Sequence, residues 1–234
     1  MLTLLDEREP AWFPDPSLSD DQGLVAVSES LGPERIKSAY QRGIFPWMKM
    51  DFDPHFWCWF SPNPRMVLKP TELKLSKSME RVLRQNRFEI RVDSQFEETM
   101  RACASSKRPN QESTWIEEDM IRDYSQLHQE GIAHSIEAYE KNELVGGLYG
   151  LAMGRVFFGE SMFHRKPNAS KACFAHLAKV TESEGVDLID CQVHSKHLES
   201  LGAREIPRQE YLDSLPQLLA PLASVVNWKR FSET

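Results

Sequence analysis

The sequence contains no uninterrupted apolar run of about 18 residues, the length that a membrane-spanning helix needs. Its first residues, Met1 to Glu7, carry neither a basic start nor a long apolar stretch, so we expect no secretory signal. These two absences predict a cytoplasmic protein without a membrane segment. Because 41% of the residues are hydrophobic, the chain can still bury a sizeable core.

Cysteine is scarce, and no two of the four cysteines are close in sequence: Cys58, Cys103, Cys173 and Cys191. A disulfide framework or a zinc knuckle needs paired or clustered cysteines, so the spacing argues against both. We expect these side chains to be reduced thiols, as is usual in the cytosol.

Basic residues are in the minority, with 28 Lys and Arg against 35 Asp and Glu and a formal net charge of −7. This balance argues against a protein that binds nucleic acid over its whole surface. The segment from Arg65 to Arg91 is an exception. Its eight basic and three acidic residues give it a charge of +5 and leave −12 for the rest of the chain.

Part of this basic segment is predicted to be a helix over residues 75–85. Four basic residues in or next to it recur at spacings of three and four, which places them on one face: Lys74, Lys77, Arg81 and Arg84. Such a stripe fits either a solvated helix face or a surface that binds phosphates.

The second half of the chain shows a regular order of predicted elements: three strands, a helix, a strand, a helix and a strand. Asn168 is expected to cap the first helix of this series. The order is similar to that of GCN5-related N-acetyltransferases, in which an acyl donor and an amine meet where two strands splay apart. We predict an α/β (α+β) fold with a small N-terminal α/β domain over 1–63. An acetyltransferase-like domain with a mixed sheet is expected over 64–234.

Glycine is missing from the segment between Phe163 and Lys171, just before the central helix. Acetyltransferases of that type usually bind the pyrophosphate of coenzyme A there, through backbone N–H groups at the helix N-terminus. An acyl-coenzyme A-dependent N-acetyltransferase stays an alternative, although its usual binding loop is not evident.

Two apolar runs of this half each contain an acid near their end. Glu160 is followed by Ser161, and Asp190 is followed by Cys191 and Gln192. A carboxylate in a buried strand is unfavourable unless it is paired, hydrogen-bonded or used in chemistry. We therefore expect both acids to belong to one functional site.

Several long motifs, in the same order from about residue 23 to 212, resemble the leucyl/phenylalanyl-tRNA–protein transferase family. They are Ala39-Tyr-Gln-Arg-Gly-Ile-Phe-Pro-Trp47, Trp59-Phe-Ser-Pro-Asn-Pro-Arg65, Ser113-Thr-Trp-Ile116, Ala133-His-Ser-Ile-Glu137, Leu144-Val-Gly-Gly-Leu-Tyr-Gly150, Phe158-Gly-Glu-Ser-Met-Phe163, Asn168-Ala-Ser-Lys171, Ile189-Asp-Cys-Gln192 and Leu201-Gly-Ala-Arg-Glu-Ile-Pro-Arg208. The resemblance implies transfer of Leu or Phe, and less well Met, from aminoacyl-tRNA to the N-terminal Arg or Lys of an acceptor protein. The product would be an N-degron. It also implies a monomer with no cofactor and no metal, because aminoacyl-tRNA is itself the donor.

The resemblance also assigns roles to individual residues. The catalytic pair would be Asp190 and Gln192. The aminoacyl end would be held by Gly159, Glu160 and Ser161, and its side chain would enter a pocket lined by Leu148, Phe157, Met162 and Ile189. Aromatic residues near the terminal adenosine and the acceptor entrance would be Tyr40, Trp47, Trp115 and Tyr124. The tRNA body would be bound by Lys77, Arg81 and Arg84.

The chemistry fits these roles, because an aminoacyl ester is already activated and transfer to an amine needs neither ATP nor a metal. The remaining task is to hold the ester and an unprotonated amine together. The Gln192 carbonyl could accept a hydrogen bond from the amine, and Asp190, two residues earlier on the same strand, could orient Gln192. Glu137 and Glu160 could add the negative field that selects Arg or Lys.

Some positions depart from the family pattern. Ser28-Glu-Ser-Leu31 stands where Gly-Gly-Asp-Leu is usual, Leu177 and Thr181 replace aromatic residues of the pocket, and Gln85 replaces a basic residue.

Three other interpretations stay open beside the acetyltransferase. One is a non-catalytic tRNA-binding module. Another is a metal site built from Asp190, Cys191, His194 and His197. A third is a nucleophilic Cys191 paired with a histidine, although strand alternation turns Cys191 away from Asp190 and Gln192.

Overall fold

A computed structural model describes residues 2–106, 116–221 and 226–232. The strands are β1 (Leu24–Ser28), β2 (Phe45–Met50), β3 (Asp53–Phe60), β4 (Arg65–Leu68), β5 (Glu89–Val92), β6 (Ala133–Glu140), β7 (Glu143–Met153), β8 (Val156–His164), β9 (Leu188–Gln192) and β10 (Arg204–Ile206). The helices are α1 (Pro33–Tyr40), α2 (Lys77–Arg84), α3 (Phe96–Ser105), α4 (Glu118–Gln129), α5 (Ala169–Ser183), α6 (Lys196–Ser200) and α7 (Arg208–Leu218). In the described part of the chain, no helix is both long and apolar enough to cross a bilayer.

Two sheets organise the molecule. The first has three antiparallel strands in the order β1-β3-β2, and the second has seven strands in the order β10-β4-β9-β8-β7-β6-β5. All neighbours in the large sheet are antiparallel except β8 and β9, which are parallel and are connected through α5. The mixed sheet and the order of strands and helices confirm the predicted α/β fold class.

The apolar core runs from one sheet to the other. Tyr40 and Trp59 of the N-terminal part and Phe158 of the large sheet belong to one cluster, and each is buried. The break between the sheets falls between Phe60 and Arg65, where β3 ends and β4 begins. The division into domains 1–63 and 64–234 stays a prediction.

The pairing of β8 with β9 is short, and this opens the sheet at the site. It covers only Val156–Phe158 against Leu188–Asp190. Beyond Phe158, β8 continues to His164 while it is paired only with β7, and Gln192 is paired with β4. Glu160 and Gln192 therefore border the gap between the two strands.

The start of α5 differs from the sequence-based expectation. Asn168 occupies the N-cap position, but its side chain makes no capping hydrogen bond. Its φ of 73° is in the left-handed region, which Asn tolerates better than most residues do. Asn168 therefore makes the turn into α5 and does not cap its N–H groups.

Candidate active site

A cavity of about 550 Å³ lies at the gap between β8 and β9, and the β2 strand of the small sheet closes one side of it. The cavity is lined by the expected catalytic residue Gln192 and by most of the residues expected to bind the substrate: Trp47, Leu148, Phe157, Gly159, Glu160, Ser161, Met162 and Ile189. Phe174 and Leu177 of α5 also line the cavity and add apolar surface. Leu177 stands where the family usually has an aromatic residue, so this departure from the family pattern falls on the cavity wall.

Glu160 is an acidic side chain on the wall of this cavity, and it is only 9% exposed. Its Oε1 accepts hydrogen bonds from the Tyr40 hydroxyl and from Nε2 of Gln192, the latter over 2.8 Å. Its Oε2 accepts a bond of 3.1 Å from the Tyr124 hydroxyl. Burial raises the pKa of the Glu160 carboxyl to about 7, although the bonds from Tyr40, Tyr124 and Gln192 act to lower it.

Gln192 is held in an uncommon conformation. Its φ is 62°, and its backbone N–H donates to Oδ1 of Asp190 over 2.9 Å. Because the amide nitrogen is committed to Glu160, the carbonyl oxygen of the side chain is the atom available to accept a hydrogen bond from a ligand. The geometry thus defines one acceptor on the cavity wall.

Asp190 does not line the cavity, because both of its oxygens are engaged inside the protein. Arg65 donates to them from Nε and Nη2 over 2.9 and 2.7 Å, and the Tyr211 hydroxyl donates to Oδ2 over 2.6 Å. Asp190 and Arg65 are each 0% exposed. The buried pair therefore holds the end of β9 in place from the side away from the cavity. The Gln192 backbone is held with it, through its bond to Asp190.

Arg65 belongs to the basic segment in sequence, but it contributes nothing to the surface charge. Its guanidinium lies over the rings of Phe45 and Tyr211, at 4.9 and 4.7 Å from their centroids, and Nη1 donates to the Gly43 carbonyl over 3.0 Å. The sequence signals a partner for Asp190, because a buried acid needs one. Nothing in the sequence identifies Arg65 and Tyr211 as that partner.

The aromatic residues expected at the entrance lie in different places. Tyr40 and Tyr124 are 0% exposed, are not on the cavity wall, and have their hydroxyl oxygens 3.0 Å apart beside Glu160. Helices α1 and α4 carry these two residues and bury them beneath the acid, and their expected role near the terminal adenosine and the acceptor entrance stays a prediction. Trp47 is partly exposed and lines the cavity. Trp115 lies outside the described residues.

Glu137 does not line the cavity, and its expected contribution to a selective negative field stays a prediction. It is 0% exposed and accepts hydrogen bonds from the Ser135 hydroxyl and from the backbone N–H groups of Ser94 and Gln95, just before α3. Burial raises the pKa of its carboxyl to about 7. Its partners make it a structural acceptor at the start of α3.

Neither the nucleophile nor the metal interpretation gains support. Cys191 lines the cavity, but burial raises the pKa of its thiol well above the usual range, which disfavours the thiolate. Among residues 2–106, 116–221 and 226–232, no group of three His, Cys, Asp or Glu side chains could hold a metal ion.

Three of the four residues of the predicted basic stripe lie on α2, and Lys74 precedes the helix. Lys77, Arg81 and Arg84 are exposed, and the described part of the chain offers them no ion pair. Arg87, by contrast, is neutralised by Glu140 over 3.1 Å. Gln85 is the C-cap residue of α2, so the departure from the family pattern falls at the end of the stripe.

Comparison with known proteins identifies the family of this chain. Residues 67–216 match the family model of leucyl/phenylalanyl-tRNA protein transferase, and residues 29–63 match the model of its N-terminal domain. A leucyl/phenylalanyl-tRNA–protein transferase of Nitrosomonas europaea is 52% identical over 205 residues, which are 87% of this chain and 85% of that protein. The protein of the same name from Nitrosospira multiformis is 50% identical over 212 residues, covering 91% and 90% of the two chains.

Solved structures similar to this one include a GCN5-related N-acetyltransferase-like protein from Streptococcus suis. The TM-score is 0.37 at 12% identity, and the match covers 77% of this chain and 68% of the other. The family models and the relatives at about half identity decide the assignment. The chain belongs to the leucyl/phenylalanyl-tRNA–protein transferase family.

Proposed function

We propose that this chain transfers Leu or Phe, and less well Met, from aminoacyl-tRNA to the N-terminal Arg or Lys of acceptor proteins, which creates an N-degron. Aminoacyl-tRNA is the donor, so no cofactor is needed, and the protein acts as a cytoplasmic monomer. The observation that carries the proposal is the bond of 2.8 Å from Gln192 to Glu160 at the wall of an apolar cavity, in a chain of this family.

The apolar part of the cavity receives the donor side chain. Leu148, Phe157, Met162 and Ile189 line it, and none of them carries a charge. Such a pocket selects Leu and Phe by area and shape, and charged or strongly polar side chains would lose their hydration without a new partner. Trp47, at the side of the cavity formed by β2, has a flat apolar surface suited to the terminal adenosine.

The amine reacts next to Gln192 and Glu160. The Gln192 carbonyl accepts a hydrogen bond from the amine and aims its lone pair at the ester carbon. The new C–N bond forms as the bond to the ribose oxygen breaks, and that oxygen takes up the proton that the amine loses. The demand on a base is modest, because an α-amine has a reference pKa of about 8.

Asp190 acts through Gln192 as a positioning residue. Its Oδ1 accepts from the Gln192 backbone over 2.9 Å, and Arg65 and Tyr211 hold the carboxylate in place. Glu160 holds the side-chain amide of Gln192 through the bond to its nitrogen. This arrangement leaves the Gln192 carbonyl with one direction in which it can accept, which favours a productive approach of the amine.

The tRNA body binds to α2 through Lys77, Arg81 and Arg84, whose charges are exposed and unpaired within the described residues.

The division into domains 1–63 and 64–234 puts the cavity between the two domains, because Pro46, Trp47 and Met48 come from the first and the remaining wall from the second.

The test uses radiolabelled Leu-tRNA and peptides that differ only in their first residue: Arg, Lys, Asp or Ser. We expect leucylation of the Arg and Lys peptides alone. Leucylation of all four peptides would contradict the acceptor specificity. Turnover of acetyl-coenzyme A in the absence of tRNA would instead support an N-acetyltransferase.

A further inference from the structure

The C-terminal segment 226–232 packs behind the donor pocket. Its Trp228 begins a short 3-10 helix, Trp228–Phe231, and is 5% exposed. The indole stacks on the imidazole of His134 at 4.6 Å with an interplanar angle of 22°. It also packs against the ring of Phe157, with the two centroids 5.6 Å apart. This segment lies beyond residues 67–216, which the family model matches.

His134 gives the indole a fixed support. Its Nδ1 lies 2.8 Å from Oδ2 of Asp93, and its Nε2 lies 3.1 Å from the Gly131 carbonyl. Asp93 is held in turn, because its Oδ1 accepts from the Ser135 backbone over 2.9 Å. Because both partners are acceptors, the imidazole donates its N–H to at least one of them, and a flip or shift of the ring would change both contacts. Trp228 therefore rests on a rigid platform.

Phe157 connects this platform with the cavity. Its ring lies against the backbone of β7, where a Cβ at Gly150 would be 2.6 Å from Cε1 and 2.8 Å from Cζ of Phe157. The ring is fully buried, lines the cavity and packs against Trp228. The absence of a side chain at Gly150 and the presence of the indole together define where this part of the pocket wall stands.

We propose that Trp228 is a positioning residue that sets the depth of the donor side-chain pocket through Phe157, and so the preference between Leu and Phe. The inference rests on the proposed function of the cavity as the donor pocket. Without the indole, the Phe157 ring gains space to move away from the cavity. A deeper pocket packs less closely around a leucyl side chain and accommodates a phenylalanyl ring better.

The experiment measures binding of two stable donor analogues, 3′-amino-3′-deoxyadenosine acylated at the 3′-nitrogen with leucine or with phenylalanine. Isothermal titration gives both dissociation constants for the wild type, Trp228→Ala, Trp228→Phe and Ser232→Ala. Ser232→Ala is the matched control, because it removes the bond of 2.9 Å from the Val92 N–H to the Ser232 hydroxyl in the same segment but leaves the indole in place.

We expect Trp228→Ala to change the ratio of the two dissociation constants by roughly three- to tenfold in favour of the phenylalanyl analogue. Trp228→Phe should bring the ratio part of the way back to the wild-type value, and Ser232→Ala should leave it within about twofold of that value. If Trp228 only stabilised the fold, its loss would weaken the binding of both analogues by the same factor. An equal loss of affinity for the two analogues, or an unchanged ratio of their dissociation constants, overturns the proposal. If Trp228→Ala does not fold, Trp228→Leu decides by the same criterion.

Binding by the wild type distinguishes failure of the proposed function from failure of this inference. If the wild type binds neither analogue, the cavity is not the donor pocket, and both fail together. If the wild type binds both analogues and the ratio is insensitive to Trp228, only the inference fails.

Discussion

Gln192 donates a hydrogen bond of 2.8 Å from its side-chain nitrogen to Oε1 of Glu160, across the gap between β8 and β9. The bond fixes which end of the Gln192 amide faces the cavity. The acid has two further donors, Tyr40 and Tyr124, and the amide has its backbone tied to Asp190. The site is thus a polar network that leaves the Gln192 side-chain carbonyl as an acceptor on the cavity wall.

Removal of the Gln192 side chain should slow chemistry and leave donor binding intact. We expect Gln192→Ala to lower the single-turnover rate of Leu transfer to an Arg-starting peptide by about 100-fold or more, as for loss of a group that orients the attacking amine. The Kd for Leu-tRNA should change by less than about threefold, because in our proposal the phosphates bind to α2 and not to Gln192. The neighbouring Cys191→Ser is the control. If it causes a comparable loss of rate, a thiol mechanism replaces the one based on Gln192.

The Asp190–Arg65 pair should affect stability as well as activity. Asp190→Ala leaves a buried guanidinium unpaired, and we expect a decrease in the free energy of unfolding of about 3–5 kcal/mol. The double variant Asp190→Leu with Arg65→Met should regain much of this stability but little of the activity, because the Gln192 backbone loses its acceptor. Urea denaturation and the transfer assay check both. Normal transfer by the stable double variant would exclude a positioning role for Asp190.

The stability of the protein should depend on Glu160 in a defined pH window. Its folded-state pKa is raised from 4.5 to about 7, so the fold favours the protonated acid. The resulting stabilisation is complete below pH 4.5 and is lost as the pH rises through 7. Relative to the wild type, Glu160→Gln should therefore gain stability between about pH 5 and pH 8, by up to about 3 kcal/mol. Glu137 titrates in both proteins, so its effect cancels in the difference between their free energies of unfolding. Parallel stability curves over this window would show that Glu160 is ionised throughout.

The basic stripe should control the salt dependence of tRNA binding. Lys77→Ala with Arg81→Ala should weaken binding and reduce the slope of log K against log salt by about 0.7–0.9 for each phosphate that is no longer neutralised. Arg87→Ala is the control, because Glu140 already neutralises Arg87. Filter binding over a series of salt concentrations gives the slopes. If the double variant and the control have the same slope as the wild type, the stripe is only a solvated face.

The sequence was sufficient for the order of strands and helices in the second half, since each element has its own apolar period and turn. It also marked Glu160 and Asp190, because acids at the ends of apolar runs need an explanation. It could not supply their partners. Tyr40 lies 120 residues from Glu160, and Arg65 lies 125 residues from Asp190, so only tertiary folding brings them together.

The sequence pattern also did not predict which of these side chains are buried and which are exposed. Arg65 belongs to a basic segment in the sequence, yet its ion pair with Asp190 is fully buried. The family resemblance places Tyr40 and Tyr124 near the terminal adenosine and the acceptor entrance, yet they lie beneath Glu160 with no exposed surface. In each case the burial depends on how the small sheet and α7 pack against the large sheet, and local periodicity carries no information on that packing.

A double-mutant cycle on Glu160 and Gln192 tests the central claim most directly. Single-turnover rates of Leu transfer are measured for the wild type, Glu160→Ala, Gln192→Ala and the double variant, with Leu-tRNA saturating. If the two residues act as one unit, the double variant is about as slow as the slower single variant. If the two losses of rate multiply, Glu160 and Gln192 act independently and the hydrogen bond between them has no part in catalysis.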